Sequence, residues 1–336
     1  VGGAGFLLRG HARLIALGAM NDRLQQNARP LLWLVAGGFG AGVFGLSAWR
    51  WWTFRYETFD LAFYVQALWL ALRGQWHVSL LDVPLMGNHA EPIVFLALPA
   101  FALCPHPLLL VLIQTLALAS LPFTAWRIAQ RLGLAVGEGL PLALAIVITP
   151  ATAFIGLHEF HPEAFAAPLL LLVAEARLKE RRGRFWLWWL LALATKENIA
   201  LLLVAWTLVQ GIRERTRWYV LPGLVAASWF ALYGGWIGPA LNGGKVDYLE
   251  LYSHLGRSGG EIMRTFFTQP GRVFAALRAS LGGDLLWGVL LPFLALPLLR
   301  PRWLLIAAPV LLQHLLSWRS SEWSLSFHYA APLVPL

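Results

Sequence analysis

Pro30-Leu31-Leu32-Trp33-Leu34-Val35-Ala36-Gly37-Gly38-Phe39-Gly40-Ala41-Gly42-Val43-Phe44-Gly45-Leu46-Ser47-Ala48 runs without a charge between Arg29 and Arg50. As a helix rising ~1.5 Å per residue, it matches the ~30 Å hydrocarbon core of a bilayer. Arg9, Arg13, Arg23 and Arg29 precede it. Basic residues are held back on the cytoplasmic side of a span, so residues 1–29 are expected as a cytoplasmic N-terminal segment. That segment is basic and mixed, without the apolar core and cleavage site of a signal peptide.

The same pattern recurs outward from this stretch. The chain is 58% hydrophobic and 13% charged, against about 25% charged in soluble proteins, and its mean hydropathy is +0.63. Apolar runs at 108–126, 140–157 and 218–237 are expected as full spans. Shorter arms at 164–176, 185–194 and 199–210 flank the basic segment Arg177 to Arg184, with Arg213, Arg215 and Arg217 beyond. Residues 285–299 and 303–318 are expected to descend and ascend again. The net charge of +9 is concentrated in these connections, which is a topology signal rather than a nucleic-acid one. The expected fold is an all-α, polytopic transmembrane helix bundle over residues 30–336. Extracytoplasmic loops are expected at about 50–92 and 238–283, and further C-terminal helices are expected beyond the apolar stretch that ends at Leu336. Cys104 is the only cysteine, so an intrachain disulfide is excluded.

Within the first loop, apolar residues at helical spacing over 59–73 predict an interfacial amphipathic helix closed by Gly74. Residues 92–103 are too short to span and are expected as a second interfacial or re-entrant helix. With the N-terminus cytoplasmic, the scarce acids and histidines sort to one side. Asp60, His89, Glu91, His158, His161, Glu163, Lys196, Glu197, Glu322 and His328 all fall on the extracytoplasmic face.

Each of these has two readings. Asp60, early in an amphipathic helix, is either a helix cap or a partly desolvated general base. His89 and Glu91, in Gly87-Asn88-His89-Ala90-Glu91-Pro92, either cap the next helix or face Asp60 across a cleft. His158-Glu159-Phe160-His161-Pro162-Glu163 is the densest polar cluster. It departs from the zincin spacing but puts two histidines on one helical face. Recognition of a phosphate or sugar, or a structural network, is the leading reading there. A divalent metal on His158, His161 and Glu163 is the minor one, and no cofactor is otherwise expected. Lys196-Glu197, between two apolar arms, is a structural ion pair or a phosphate site. His328-Tyr329 is an interfacial aromatic belt element or part of the site. Pigment ligation by histidines is disfavoured, since His314 alone lies clearly within a span.

Phe59-Asp60-Leu61 with Gln66-Ala67-Leu68-Trp69, Asn88-His89 with Glu91-Pro92, and Glu159-Phe160-His161-Pro162-Glu163 carry a family resemblance. So do Thr195-Lys196-Glu197-Asn198, Leu255-Gly256-Arg257-Ser258 with Glu261, and His328-Tyr329. In this order they resemble the bacterial membrane family called domain of unknown function 2079, within the GT-C glycosyltransferase superfamily. The resemblance covers about 59–329. It implies a GT-C-type fold in a bacterial inner membrane. It also implies an inverting transfer of sugar from a polyprenyl-phosphate donor to an extracytoplasmic acceptor. Asp60 would be the base. Lys196, Arg257 and His161 would hold the donor phosphate. His89, Glu91, His158, Glu163, Glu197, His328 and Tyr329 would bind substrate or tune the site. Asn88-His89-Ala90-Glu91-Pro92 replaces the basic, proline-rich element of mannosyl- and aminoarabinose-transferases, so donor identity does not follow. The expected partners are a polyprenyl-phosphate-linked sugar and membrane lipid. The competing expectation is a non-catalytic, lipid-binding or scaffolding subunit of a larger membrane complex. A transporter would require two related halves, which the sequence lacks.

Overall fold

The uncharged stretch at 30–48 lies inside one helix, α1 (Gly3–Trp52), whose part Asn27–Trp52 is apolar and long enough to cross a membrane. The expected N-terminal segment and first span are therefore one continuous helix. The computed structural model describes residues 3–245 and 247–336. The architecture is an all-α, polytopic bundle with a single small two-stranded hairpin, β1 (His77–Val78) and β2 (Val83–Pro84). The interfacial helix α2 (Phe59–Ala71) precedes the hairpin. A 3-10 turn at Pro92–Ala97 runs into a short helix at Leu98–Leu103, where the second short apolar element was expected.

Three further helices are long and apolar enough to span: α3 (Pro107–Arg131), α4 (Val136–Leu157) and α5 (Arg217–Leu241). Between α4 and α5 lie three short helices, α6 (Ala166–Leu178), α7 (Arg182–Leu193) and α8 (Ile199–Glu214). A fourth short helix, α9 (Pro301–Leu315), packs on α8. These four have 12 to 16 residues, about 18–24 Å at ~1.5 Å per residue. That falls short of a ~30 Å hydrocarbon core, so the connection between α7 and α8 ends within the bundle. Thr195, Lys196, Glu197 and Asn198 in that connection are all buried. Non-helical backbone at such depth is tolerated only where protein or a wet cavity covers it.

Packing follows the sizes of the contact residues. In lipid, helices associate through close van der Waals contact rather than the hydrophobic effect. Gly156 on α4 lets α1 approach closely, since a Cβ there would come within 2.9 Å of Val43 Cγ1. Ala166, Ala192, Ala200 and Ala226 are fully buried in the core shared by α5–α9. At the basic end of the bundle, Phe185 stacks on Trp189 at 5.2 Å and meets Trp218 edge-on at 4.6 Å. Arg177 lies 4.9 Å over the Trp218 ring and donates to Tyr219 Oη.

Two expectations for the C-terminal half are corrected. The segment 238–283 is not a polar loop throughout. It carries α10 (Gly259–Thr268) and α11 (Pro270–Ser280), and α11 is bent by 67° to the helix that follows it, Leu285–Phe293. The stretch 285–299 is not one descending helix. Pro292 and Pro297 interrupt it, and Leu294 and Ala295 take left-handed backbone angles (φ 52° and 55°).

Candidate functional site

The polar ends of these elements meet in one cavity of about 560 Å³. α2 brings Asp60, the C-terminus of α4 brings His158 and His161, and the α7–α8 connection brings Lys196 and Glu197. His328 and Tyr329 arrive on the chain after α9, and His89 and Glu91 come from the turn before Pro92. The opposite ends of α3, α6 and α8 carry Arg127, Arg131, Arg177 and Arg213, the first and third paired with Glu175 and Glu214.

Asp60 does not cap its helix. Thr58 holds the N-cap position, Asp60 sits in the first turn, and no side-chain capping bond is made. Asp60 Oδ2 instead lies 3.1 Å from His161 Nε2. Burial alone would push this carboxyl up. The hydrogen bond and charge of His161, with the charges of His158 and Lys196, outweigh it and hold the group below its ordinary value. With 42% of its side chain exposed, Asp60 is an ionised acceptor open to the cavity.

His161 is fixed from three directions. Its backbone N–H donates to Gln114 Oε1 at 2.7 Å. Its Nδ1 lies 3.0 Å from the Glu159 carbonyl, which can only accept, so Nδ1 carries the proton. Its ring stacks on His328 with centroids 3.6 Å apart. Glu159 in turn accepts the Leu61 backbone N–H at 2.7 Å, which ties the start of α2 to the end of α4. Burial, and then the charge of His161, lower His158 to about 4. Burial above all, with Lys196 and the other imidazoles close by, puts His328 well below the ordinary imidazole value. Both rings are neutral at neutral pH.

Behind this first row lies an ionic layer. Glu163 is fully buried. It accepts from Lys196 Nζ at 2.8 Å and from Asn198 Nδ2 at 3.4 Å, with His328 Nε2 at 3.3 Å. Lys196 Nζ also lies 5.5 Å from the Tyr329 ring centre. Glu197 bridges His89 Nδ1 at 2.9 Å and the Ala90 N–H at 3.0 Å. Glu91 accepts from Tyr64 Oη at 2.7 Å. Chemically, the arrangement offers an ionised carboxylate at the mouth, neutral imidazoles beside it and a buried cation further in.

Asp60, His89, Glu91, His158, His161, Lys196, Glu197, His328 and Tyr329 therefore come together around one cavity, with Glu163 directly behind them. Arg257 does not join them. It lies in a separate surface hollow with Ser253 and Gly256, and the motif around it is a helix start. Ser258 Oγ accepts from the Glu261 N–H at 3.2 Å, and Glu261 Oε2 accepts from the Arg257 N–H at 2.7 Å. Gly256 is required there, because a Cβ would come within 2.7 Å of both Glu261 Cβ and Ile262 N.

Several groups of the site escaped sequence reasoning. Gln114, buried in α3, donates to the Ile155 and Glu159 carbonyls and accepts from His161. A lone buried amide in an apolar span was the available signal for it. His314 Nδ1 and Glu322 Oε2 form a buried pair at 2.6 Å in the cavity lining, with the His314 ring 5.2 Å from Tyr329. Tyr233 opens a π-helical turn at Tyr233–Ile237 within α5, a feature often found at functional sites, and donates to the Met86 carbonyl.

A family model described as "Predicted membrane protein (DUF2079)" matches residues 50–336, a range that takes in every cavity residue named above. No curated protein and no solved structure matches the chain.

Proposed function

From the premise that the chain belongs to this family of predicted membrane proteins, we propose a membrane glycosyltransferase of GT-C type. It moves a sugar from a polyprenyl-phosphate donor to an acceptor at the extracytoplasmic face of a bacterial inner membrane. The observation that carries this reading is the ionised, half-exposed Asp60 beside His161, in the same cavity as the buried cation Lys196. Such a transfer needs a base for the acceptor hydroxyl and positive charge for the phosphate that departs. Asp60 takes the acceptor's proton as its oxygen attacks the anomeric carbon, and the bond from that carbon to the phosphate oxygen breaks. Lys196 steadies the charge that develops on the phosphate, and the cavity holds both partners in line. Glu91, Glu197, His89 and Tyr329 supply acceptors, a donor and an aromatic face suited to sugar hydroxyls and rings.

The test is transfer from a radiolabelled polyprenyl-phosphate sugar in proteoliposomes. Asp60→Asn keeps the side-chain shape and removes the base, so turnover falls by about 10²–10⁴-fold with thermal stability unchanged. Full turnover in that variant rules out Asp60 as the base. A parent chain that transfers none of a panel of lipid-phosphate sugars, while copurifying with fixed partner subunits, favours the scaffolding role instead.

A further inference from the structure

Three imidazoles crowd one wall of the cavity in a way that hydrogen bonding among themselves does not explain. One ring nitrogen from each of His158, His161 and His328 lies within 4.8 Å of the other two. The rings of His161 and His328 are near parallel at 17°, and His158 stacks on both, at 4.9 Å and 5.6 Å. Three basic rings with no anion between them gain little from each other, so the lone pairs have to be accounted for one by one.

For His161 the proton is on Nδ1, given to the Glu159 carbonyl. Its Nε2 lies 3.1 Å from Asp60 Oδ2, a contact made either by a second ring proton donated to the carboxylate or by a cation held between the two. For His328, Nε2 lies 3.3 Å from Glu163 Oε2. That oxygen accepts from Lys196 Nζ at 2.8 Å, so as an acceptor it keeps the His328 proton on Nε2. His328 Nδ1 is then a buried lone pair with no hydrogen-bond partner, on a side chain only 5% exposed. His158 lines the cavity, and no described residue hydrogen-bonds to its ring nitrogens.

An extra proton on His161 would satisfy that ring and leave the other two unserved. A cation drawn between them serves all three once the stacked His161 and His328 rings turn their in-plane lone pairs toward it. The outer partners are also those of metal-bound histidine, where the ring N–H opposite the metal goes to a carbonyl or a carboxylate. Here those partners are the Glu159 carbonyl and the Glu163 carboxylate.

We infer that His158, His161 and His328 bind a divalent transition ion of the zinc class, with Asp60 Oδ2 as the nearest oxygen to complete the shell. Imidazole ligands select this class over magnesium or calcium. The other Asp60 oxygen stays free. Glu163 is not a ligand, because Lys196, Asn198 and His328 surround its carboxylate. The ligand set thus differs from the His158, His161 and Glu163 set that spacing alone suggests.

This site stands on the histidine geometry and not on sugar transfer, and metal binding is read without any substrate. The full chain in nanodiscs is stripped with a chelator and equilibrated with Zn²⁺ or Co²⁺. Bound metal is counted by mass spectrometry, and Co²⁺ is followed by its visible absorption. About one ion per chain is expected, with a tetrahedral-type Co²⁺ band and a rise in the unfolding midpoint on adding Zn²⁺. His158→Ala and His328→Ala are expected to weaken binding by more than ~10-fold, the lower size of the effect of losing even an outer partner of a ligand. His77→Ala, at an exposed ring pair with Asp82, leaves binding intact. His158→Gln serves where the alanine variant fails to fold. Less than about a tenth of an ion on the parent, or equal binding by the parent and the His158→Gln variant, overturns the proposal.

Discussion

Lys196 and Glu163 make the strongest single interaction around the cavity, and removing one partner has a calculable effect. Their charged atoms lie 2.8 Å apart with side chains 9% and 0% exposed. At an effective dielectric of about 20 the attraction is roughly 6 kcal/mol before desolvation. In Lys196→Met the Glu163 carboxylate stays buried, held only by Asn198 Nδ2 at 3.4 Å and His328 Nε2 at 3.3 Å. A broken buried pair costs about 3–5 kcal/mol, and these weak remaining contacts put the variant within that range. Glu163→Gln should cost less, because Lys196 keeps the charges of Glu91 and Glu197 nearby and the Tyr329 ring at 5.5 Å. The double variant should recover at least about 2 kcal/mol relative to the sum of the singles, the coupling expected of groups in direct contact. Equilibrium unfolding in mixed micelles, followed by tryptophan fluorescence, measures all four corners of the cycle. A Lys196→Met loss below about 0.5 kcal/mol, the size of an ordinary surface change, refutes the reasoning. So does simple additivity.

Gln114→Leu removes two donated bonds and the acceptor of the His161 N–H; at about 1 kcal/mol each it should lose about 3 kcal/mol in the same unfolding assay. His161→Ala should move the acid limb of the transfer pH profile to higher pH. The Asp60 base is available above its pKa and lost below it, and His161 is the largest influence holding that pKa down. Arg257→Ala should leave kcat/KM for transfer unchanged, since the side chain lies outside the cavity. Ser258→Ala should cost about 1 kcal/mol through the lost cap on α10, measured as a drop in unfolding free energy with kcat/KM retained.

What could be read from the sequence divides along physical lines. Hydropathy finds whatever faces lipid, so α1, α3, α4 and α5 were visible as runs near 30–48, 108–126, 140–157 and 218–237. It is blind to α10 and α11, whose Arg264, Arg272 and Arg278 lower the mean while the helices remain amphipathic. Their start signals, Ser258 with Glu261 and Pro270, were in plain view. The stretch 285–299 is apolar enough to look like a span, and only its prolines betray the break. The same division holds at the site. The chemical types at Asp60, His161, Lys196 and His328 could be read, since ionisable groups are scarce in such a chain. Their juxtaposition depends on where α2, α4 and the α7–α8 connection end, which no local pattern encodes. Arg257 shows the converse error. Its motif caps the start of α10, and its side chain lines a hollow outside the cavity.

The burial of so many ionisable groups bears on what the cavity is for. Glu91, Glu163, Lys196, Glu197, His314, Glu322 and His328 are each less than a tenth exposed, and each loses hydration on burial. A purely structural polar network should close on itself, since every unsatisfied member costs free energy. For its carboxylates it does close: Glu163 has its donors, Glu197 has His89 and Ala90, and Glu91 has Tyr64. For its imidazoles it does not: the buried His328 Nδ1 has no partner, and His314 Nε2 has none either. Unpartnered buried polar atoms also occur away from the cavity, as at Ser47, Trp189 and Gln210, but within this ionisable network they fall on His314 and His328, both of which line it. A network built only to join helices would place its unmet bonds without regard to the cavity.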